Sequence, residues 1–369
     1  MEKSYRIIAS SENRVEEEAK CQMEKAANLP GVVCAVGMPD IHPGKGGPVG
    51  VSVMTRDVIY PYLIGGDIGC GMRLSQVARH QKKLKIEQWK KRLLKPVEYD
   101  IDLEKEFIRN GLERTKYDEQ LGTIGSGNHF AEFLTVEKVF DSKKFNESGL
   151  NKDSVYLLIH SGSRRFGNDI LREYVDARKD GGCRPGEDAY EKYIDSHHKA
   201  LLWAKLNREL IAKRLLQKLG TTDATILDIA HNYIESMEHE DGGTTFVHRK
   251  GAISAESDLV VIPGSRGTPS YLVEPLKNEA AHGYSLAHGA GRKWNRIKSR
   301  QMSRIKYKDK DIRNMKGHSA LLTNDRNVML EEAPEAYKNI KTIIADLEQE
   351  RLIRVVSCFT PRITYKAEL

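Results

Sequence analysis

The histidines and glycines of this 369-residue chain gather in six short polar islands, and these constrain the fold more than any other feature. They are Met38-Pro39-Asp40-Ile41-His42-Pro43-Gly44-Lys45-Gly46, Gly66-Asp67-Ile68-Gly69-Cys70-Gly71, Gly125-Ser126-Gly127-Asn128-His129-Phe130, His160-Ser161-Gly162-Ser163-Arg164, His231-Asn232, and Ala287-His288-Gly289-Ala290-Gly291-Arg292. Glycine admits positive φ and close backbone approach, which tight ligand sites need. One island would be an ordinary turn. Six, mostly beside the end of an apolar run, predict a ligand site built from separate parts of the chain.

The apolar runs between the islands give the coarse structure. Residues 13–29 read as an amphipathic helix stopped near Pro30, and 31–36 and 48–55 as strands around a glycine-rich turn. Residues 84–112 read as two helical pieces broken at Pro96, and 154–160 as an apolar strand ending in a polar turn. The longest helix is expected at 186–219, where Tyr190, Ile194, Leu201, Leu202, Leu206, Leu210 and Leu216 share one side. Helical character is expected to continue through 225–238. Strands are expected at 244–249, 258–263 and 270–273, a helix at 335–350, and a last strand at 352–358. Strands and helices follow one another without regular alternation, so an α+β fold is expected. No composition shift marks a linker, which predicts one domain over residues 1–369.

Hydrophobic residues make up 39% of the chain and charged residues 30%, enough apolar material for a core and too much for a disordered or collagen-like chain. No stretch approaches the roughly 18 apolar residues of a membrane span. The first residues lack the apolar run of a signal peptide. Five scattered cysteines are an odd number without framework spacing, so reduced thiols and a cytoplasmic location are expected. The formal charge is +7, and the basic residues cluster. Residues 82–95 carry seven cations against Glu87; residues 292–310 carry nine against Asp309, with Trp294 and Tyr307 interleaved. Basic clusters with aromatics suit phosphate backbones and unstacked bases, although charge alone also describes a solvated helix face.

Asp67 and Cys70, three residues apart on a glycine-flanked turn, can point at one place. With His129, His160 and His231, each at the edge of an element, they form a ligand set for a borderline divalent ion, and a cysteine sulfur can bridge two. His80, His197, His198, His239 and His318 lie outside the islands and read as surface or structural residues. There is no Gly-x-x-x-x-Gly-Lys-[Ser/Thr] phosphate loop. Gly-Ser-Arg-Gly at 264–267 and the glycines at 289–291 can still present backbone N–H groups to phosphates. His288 stands directly before the second turn, with Arg292 four residues on. Imidazole is a competent nucleophile toward phosphorus, and a guanidinium can hold the oxyanions.

The segments MPDIHPGKG, GGDIGCGM, GTIGSGNHFAE, HSGSR, AHNYIE, RKGAISA, IPGSRGTPSY, HGAGR and AYKNI occur in that order from residue 38 to about 340. In this the chain resembles the RtcB-type RNA ligases, over nearly its whole length. The resemblance implies an RtcB-like α+β domain with mixed and antiparallel sheets, flanking helices and a central cleft. It implies two Mn²⁺ ions and GTP as cofactors. It implies a reaction in which a histidine takes GMP from GTP, passes it to an RNA 3′-phosphate, and a 5′-hydroxyl RNA end displaces it. A 2′,3′-cyclic phosphate end would first be opened. The setting would be RNA repair or tRNA splicing. An RNA cyclic phosphodiesterase without ligation is the alternative.

Matched motif by motif, His288 would be the guanylylated nucleophile. Cys70 would bridge the two ions, with Asp67 and His129 completing one set of ligands and His160 and His231 the other. Asn128, Phe130, Glu132, Asn232, Ser265, Ser270, Ala290, Gly291, Arg292, Tyr337 and Lys366 match positions that hold GMP; a carboxylate such as Glu132 can accept from guanine N1–H and N2–H. Asp40, Lys45, Arg164 and Arg249 are expected near the RNA ends. The chain departs from the family pattern in a compact 75–120 segment, in Arg165 where glycine is usual, in Arg266 where methionine is common, and in residues 366–369 beyond the usual terminus. These departures suggest a specialised RNA-repair enzyme.

Overall fold

Fifteen strands and nine α-helices form among the residues described by the computed structural model, which are 5–96, 101–179, 181–240, 242–307 and 319–366. The strands are β1 (Tyr5–Ile7), β2 (Val32–His42), β3 (Val49–Arg56), β4 (Gly71–His80), β5 (Phe130–Val139), β6 (Ser154–Ser161), β7 (Asp223–Ala230), β8 (Asn232–Glu238), β9 (Thr244–Lys250), β10 (Ala252–Ser254), β11 (Val260–Ile262), β12 (Ser270–Pro275), β13 (Ser285–Ala287), β14 (Ala320–Leu322) and β15 (Ile353–Tyr365). The helices are α1 (Glu17–Ala27), α2 (Ile86–Leu93), α3 (Leu103–Arg109), α4 (Ser142–Glu147), α5 (Arg165–Arg178), α6 (Asp188–Leu219), α7 (Arg296–Lys306), α8 (Arg326–Glu331) and α9 (Ile340–Gln349).

Two sheets dominate. One has the order β11-β12-β15-β5-β6-β4-β7, antiparallel throughout, with β14 added in parallel to β15. The other runs β1-β2-β3-β9-β8, with only the β1–β2 pair parallel. This is the expected α+β class. Strand β6 shows why its run is apolar at nearly every position. Val155, Leu157 and Ile159 face α6 side chains such as Ile211 and Leu215, while Tyr156 and Leu158 enter a second cluster with Phe145 and Phe359. Alternate residues point to opposite faces, and both faces are covered. A third cluster joins the two sheets: Val36 and Met38 of β2 pack with Val260, Ile262, Val355 and Ile343.

Helix α6 runs for 32 residues, with Asp188 and Glu191 in its positive first turn and left-handed Gly220 (φ 63°) stopping it. Its buried side carries Leu206 and Leu210 as expected, with Trp203, and, besides His197 and Lys218, two further polar residues, Asn207 and Arg208. These are tethers for the glycine turns. Arg208 donates to the carbonyls of Gly69 (2.7 Å) and Ser161 (3.0 Å) and is ion-paired with Asp228 at 2.5 Å. Asn207 reaches Ser161 Oγ at 3.1 Å and accepts from the Gly122 N–H at 2.8 Å.

Most expected elements appear with shifted ends: the first helix as Glu17–Ala27, the 84–112 pair as α2 and α3, and the last strand extended to Tyr365. Residues 97–100 between α2 and α3, Lys308–Lys310 of the second basic run, His318 and residues 367–369 lie outside the described residues. One expectation is corrected. Residues 225–238 are not helical but form most of β7 and β8, which belong to different sheets and meet at His231. Thr225, Ile226, Ile229 and Ile234 are β-branched, and pairing of β7 with β4 and of β8 with β9 overrides the helical look of the segment. No described helix is long and apolar enough to cross a membrane.

Replacing Arg208 by methionine leaves Asp228 buried without its cation and frees both glycine-turn carbonyls. Loss of one partner of such a pair costs about 3–5 kcal/mol. Urea unfolding of Arg208→Met should show a correspondingly lower midpoint, whereas Arg165→Met, on the exposed side of α5, should not.

Candidate active site

Four neighbouring strands deliver the expected metal ligands to one end of the larger sheet. Cys70 immediately precedes β4, His129 immediately precedes β5, His160 is the penultimate residue of β6, and His231 immediately follows β7. In the sheet these strands are ordered β5-β6-β4-β7, and Met72 and Phe130 both pair with His160. Residues far apart in sequence thus reach one place because hydrogen-bonded strands lie about 4.8 Å apart. Asp67 completes the set from the turn before Cys70. Gly162 is required there by crowding: a Cβ on it would lie 2.4 Å from Asp67 Oδ1 and 2.7 Å from Cys70 Cα.

The five side chains form a row. Asp67 Oδ2 is 2.9 Å from His129 Nε2, which is 3.4 Å from Cys70 Sγ; Cys70 Sγ is 3.2 Å from His160 Nε2, and that atom is 3.3 Å from His231 Nε2. The sulfur stands in the middle, with one carboxylate–imidazole arm and one bis-imidazole arm. Burial pushes the Cys70 thiol well above its ordinary pKa, reinforced by the Asp67 charge, and pushes His160 and His231 well below theirs. Burial would also raise Asp67, but the His129 imidazole and the Arg164 N–H (2.6 Å) bring it below the usual carboxylate value.

Neutral imidazoles are the form that binds metal. Two neutral Nε2 atoms 3.3 Å apart are poor partners for each other. Their spacing instead matches the edge of a tetrahedral site, about 3.4 Å for metal–nitrogen bonds of about 2.1 Å. Cys70, His129 and His160 alone bring three ligand atoms within 4.8 Å of one another, all buried. The donor set fits divalent ions, with Asp67, His129 and Cys70 on one side and Cys70, His160 and His231 on the other.

His288 adjoins the bis-imidazole arm, its ring centroid 4.8 Å from that of His231. Asp40, fully buried on β2, fixes it: Asp40 Oδ2 accepts the His288 backbone N–H at 3.1 Å and lies 2.6 Å from Nδ1, off the line of a straight hydrogen bond. That contact favours a proton on Nδ1 and leaves Nε2 as the lone-pair nitrogen. Gly291 (φ 69°) permits the close approach, since a Cβ there would sit 2.2 Å from the Asp40 carbonyl oxygen.

A cavity of about 1220 Å³ opens over these groups, with Asp67, Cys70, His160, His231 and His288 in its wall. Asn128, Phe130, Glu132, Asn232, Ser265, Ala290, Gly291, Arg292, Tyr337, Lys366 and Lys45 also line it. Burial pushes Glu132 up to about 7, although Thr364 Oγ1 donates to it at 2.6 Å and Lys366 and Arg266 lie near. Lys366 donates to the carbonyls of Gly127 (2.9 Å) and His129 (3.1 Å), and its ammonium lies 5.9 Å from the centre of the Phe130 ring. Arg292 bonds Glu332 (2.9 Å) and the Tyr337 hydroxyl (3.2 Å), and that hydroxyl bonds Glu332 in turn.

Five expected residues are not in the cavity wall, and one of them, His129, is buried within the row itself. Ser270 is buried on β12; Asp40 stands behind His288; Arg164 serves Asp67 through its N–H and turns its guanidinium to Thr123 and Gln120. Arg249 is fully buried, bonded to Glu235 (2.5 Å), Tyr233 and Ser285. His197 is structural, its Nε2 accepting from the Ile234 N–H. Lys250 and Glu332 are two of the wall residues that were not singled out from the sequence. Lys250, which burial brings down to about 8, lies within the RKGAISA segment, so its signal was there. Glu332, an acid among three before Tyr337, carried no such signal.

Strand ends that converge on a thiol–imidazole row beside a histidine-bearing glycine turn make a candidate metal site in an enzyme-like cleft. The chain belongs to the RtcB family: the family model described as "tRNA-splicing ligase RtcB" matches residues 22–114 and 104–367. It is 38% identical to RNA-splicing ligase RtcB2 of Escherichia coli strain ATCC 25922, across 97% of this chain and 94% of that one. It is 28% identical to RNA-splicing ligase RtcB of E. coli K12 (93% and 92% covered) and to tRNA-splicing ligase RtcB of Nanoarchaeum equitans (96% and 94%).

Cys70→Ser exchanges a soft central donor for a hard hydroxyl. Metal analysis after dialysis against Mn²⁺ or Zn²⁺ should show that this variant loses most of its bound ion. Ser126→Ala, beside the site but outside the row, should retain it.

Proposed function

We propose that the protein is a GTP-dependent RNA ligase that joins RNA 3′-phosphate or 2′,3′-cyclic phosphate ends to 5′-hydroxyl ends, with two Mn²⁺ ions held by the Asp67–His129–Cys70–His160–His231 row. The observation that carries the reading is the abutment of that row with Asp40-held His288. Bound ions would supply Lewis-acid neutralisation of phosphoryl charge. The rest falls to the chain's own residues.

His288 Nε2 attacks the α-phosphorus of GTP; the N–P bond forms, the bond to the bridging oxygen breaks, and pyrophosphate leaves. Asp40 orients the ring and stabilises the positive charge that develops on it. An RNA 3′-phosphate oxygen then takes GMP from His288. The RNA 5′-hydroxyl oxygen next attacks the 3′-phosphorus, its proton passes to solvent, and GMP departs with the electron pair of the broken P–O bond. Arg292, bonded to Glu332 and Tyr337, is preorganised beside the His-Gly-Ala-Gly turn to hold phosphate oxygens. Phe130 offers a ring to the nucleotide. A ligand thiolate at Cys70 suits a reducing compartment, the cytoplasm. A phosphodiesterase limited to opening cyclic phosphates has no use for His288 so placed.

Incubation with α-labelled GTP and Mn²⁺ should leave acid-labile GMP on the protein, and His288→Ala should abolish it. Full labelling of His288→Ala would remove His288 from the reaction. Glu132 gives a pH test. Its carboxylate must be ionised to accept from guanine N1–H and N2–H, and with a pKa of about 7 it protonates as pH falls below neutrality. GTP affinity should therefore drop below pH 7, approaching about tenfold per unit for one proton. Glu132→Gln should flatten that profile and narrow the preference for GTP over ATP.

A further inference from the structure

Arg266 lines the cavity, and the reaction as derived above gives it no task. It also stands where the chain departs from the family pattern, which commonly has methionine there. The residue is only 6% exposed. Burying a guanidinium carries a desolvation cost that methionine would not have. Burial accordingly draws its pKa below the ordinary arginine value.

The backbone fixes where this cation stands. Residues 265–268 form a tight turn, closed by the Thr268 N–H on the Ser265 carbonyl at 2.9 Å. Gly267, with φ 80°, supplies the left-handed third residue of a type II turn, and Arg266 is the corner residue before it. The turn leads into β12, whose Ser270 pairs with Phe359 of β15; on the other flank of β15, Glu132 of β5 pairs with Thr364. Because β12 runs antiparallel to β15, the chain before Ser270 heads toward Thr364. Arg266 and Glu132 thus reach the cavity from the two flanks of one strand. The ionisable groups that act most on Arg266 are Glu132, then Tyr307 and Glu335. None belongs to the metal row or to the His288 turn, so the guanidinium stands at the Glu132 end, away from the phosphate chemistry. Two other cations of the wall hold protein groups: Lys366 the Gly127 and His129 carbonyls, Arg292 Glu332, Tyr337 and the Glu331 carbonyl.

We propose that Arg266 reads a second edge of the guanine, its guanidinium donating to O6 and N7 while Glu132 accepts from N1–H and N2–H. The proposal rests on the guanylate reading above. Guanine presents two acceptors on that edge, and a guanidinium carries its N–H donors in a rigid fork that matches them. Adenine keeps N7 but places an N6–H₂ donor where guanine has O6, so N–H would meet N–H. Glu132 selects guanine only while its carboxylate is ionised, and burial holds it at about 7. An arginine on O6 and N7 keeps its charge throughout that range and selects on both sides of it.

The test is equilibrium binding of mononucleotides, which have no pyrophosphate to lose. Calorimetry on Mn²⁺-loaded protein would compare GMP with 7-deaza-GMP, which has C–H in place of N7, and with AMP. Wild-type protein should bind GMP on the order of tenfold more tightly than 7-deaza-GMP, the effect of leaving a charged donor without its acceptor. In Arg266→Met that ratio should fall to within about twofold of one, and the preference for GMP over AMP should narrow. GMP and 7-deaza-GMP present the same N1–H and N2–H, so any change in the state of Glu132 cancels from their ratio. An arginine that only supports the wall would weaken both alike when replaced. Methionine is common at this position in the family, so the fold should persist; thermal unfolding checks this, and the wild-type comparison needs no variant. Equal wild-type affinity for GMP and 7-deaza-GMP, or an unchanged ratio in Arg266→Met, overturns the proposal. Wild-type protein that binds no GMP and takes no GMP label would instead overturn the guanylate reading on which the proposal rests.

Discussion

The site depends on one physical circumstance: a buried thiol set among buried imidazoles. Burial opposes charge on Cys70, His160 and His231, so the thiol stays protonated and those two imidazoles stay neutral. Such a cluster is expensive to assemble without a cation, since each polar atom has given up water for a poor partner. A divalent ion reverses each of these terms. It favours the thiolate, uses the lone pairs that neutral imidazoles offer, and takes advantage of the carboxylate already held by His129 and the Arg164 N–H. Metal affinity and the architecture of the sheet end are therefore one problem.

That dependence explains where the fold spends polar groups in its core. Arg208 and Asn207, on the mostly apolar buried face of α6, hold the carbonyls and hydroxyl of the turns that carry Cys70 and His160. Asp40 plays the same part for His288 from the other sheet. The site straddles the two sheets, and His231 is the residue through which the chain passes from one to the other. Its substitution would be felt both in the ligand row and in the register of β7 and β8.

Much of this was legible in the sequence, and for stated reasons. Glycine islands announce tight turns whatever the tertiary context. Asp67, Cys70, His129, His160, His231 and His288 stood in them and do converge. The long α6 was plain from its leucine spacing. The 225–238 segment was misread because short, half-exposed strands lack a strict two-residue period, and pairing partners distant in sequence decide them. Arg208 and Asn207 were invisible because a polar residue on a helix looks solvated until the opposing turn is known. Arg249, expected near the RNA ends, is instead taken up by Glu235 of β8 and Ser285 of β13, partners that sequence spacing does not bring to it.

X-ray absorption on protein loaded with Mn²⁺ addresses the central claim most directly. Ions that share the Cys70 sulfur give a metal–sulfur shell and metal–metal scattering, and both vanish together in Cys70→Ser. A spectrum with nitrogen and oxygen neighbours only, unchanged by that substitution, would contradict the account.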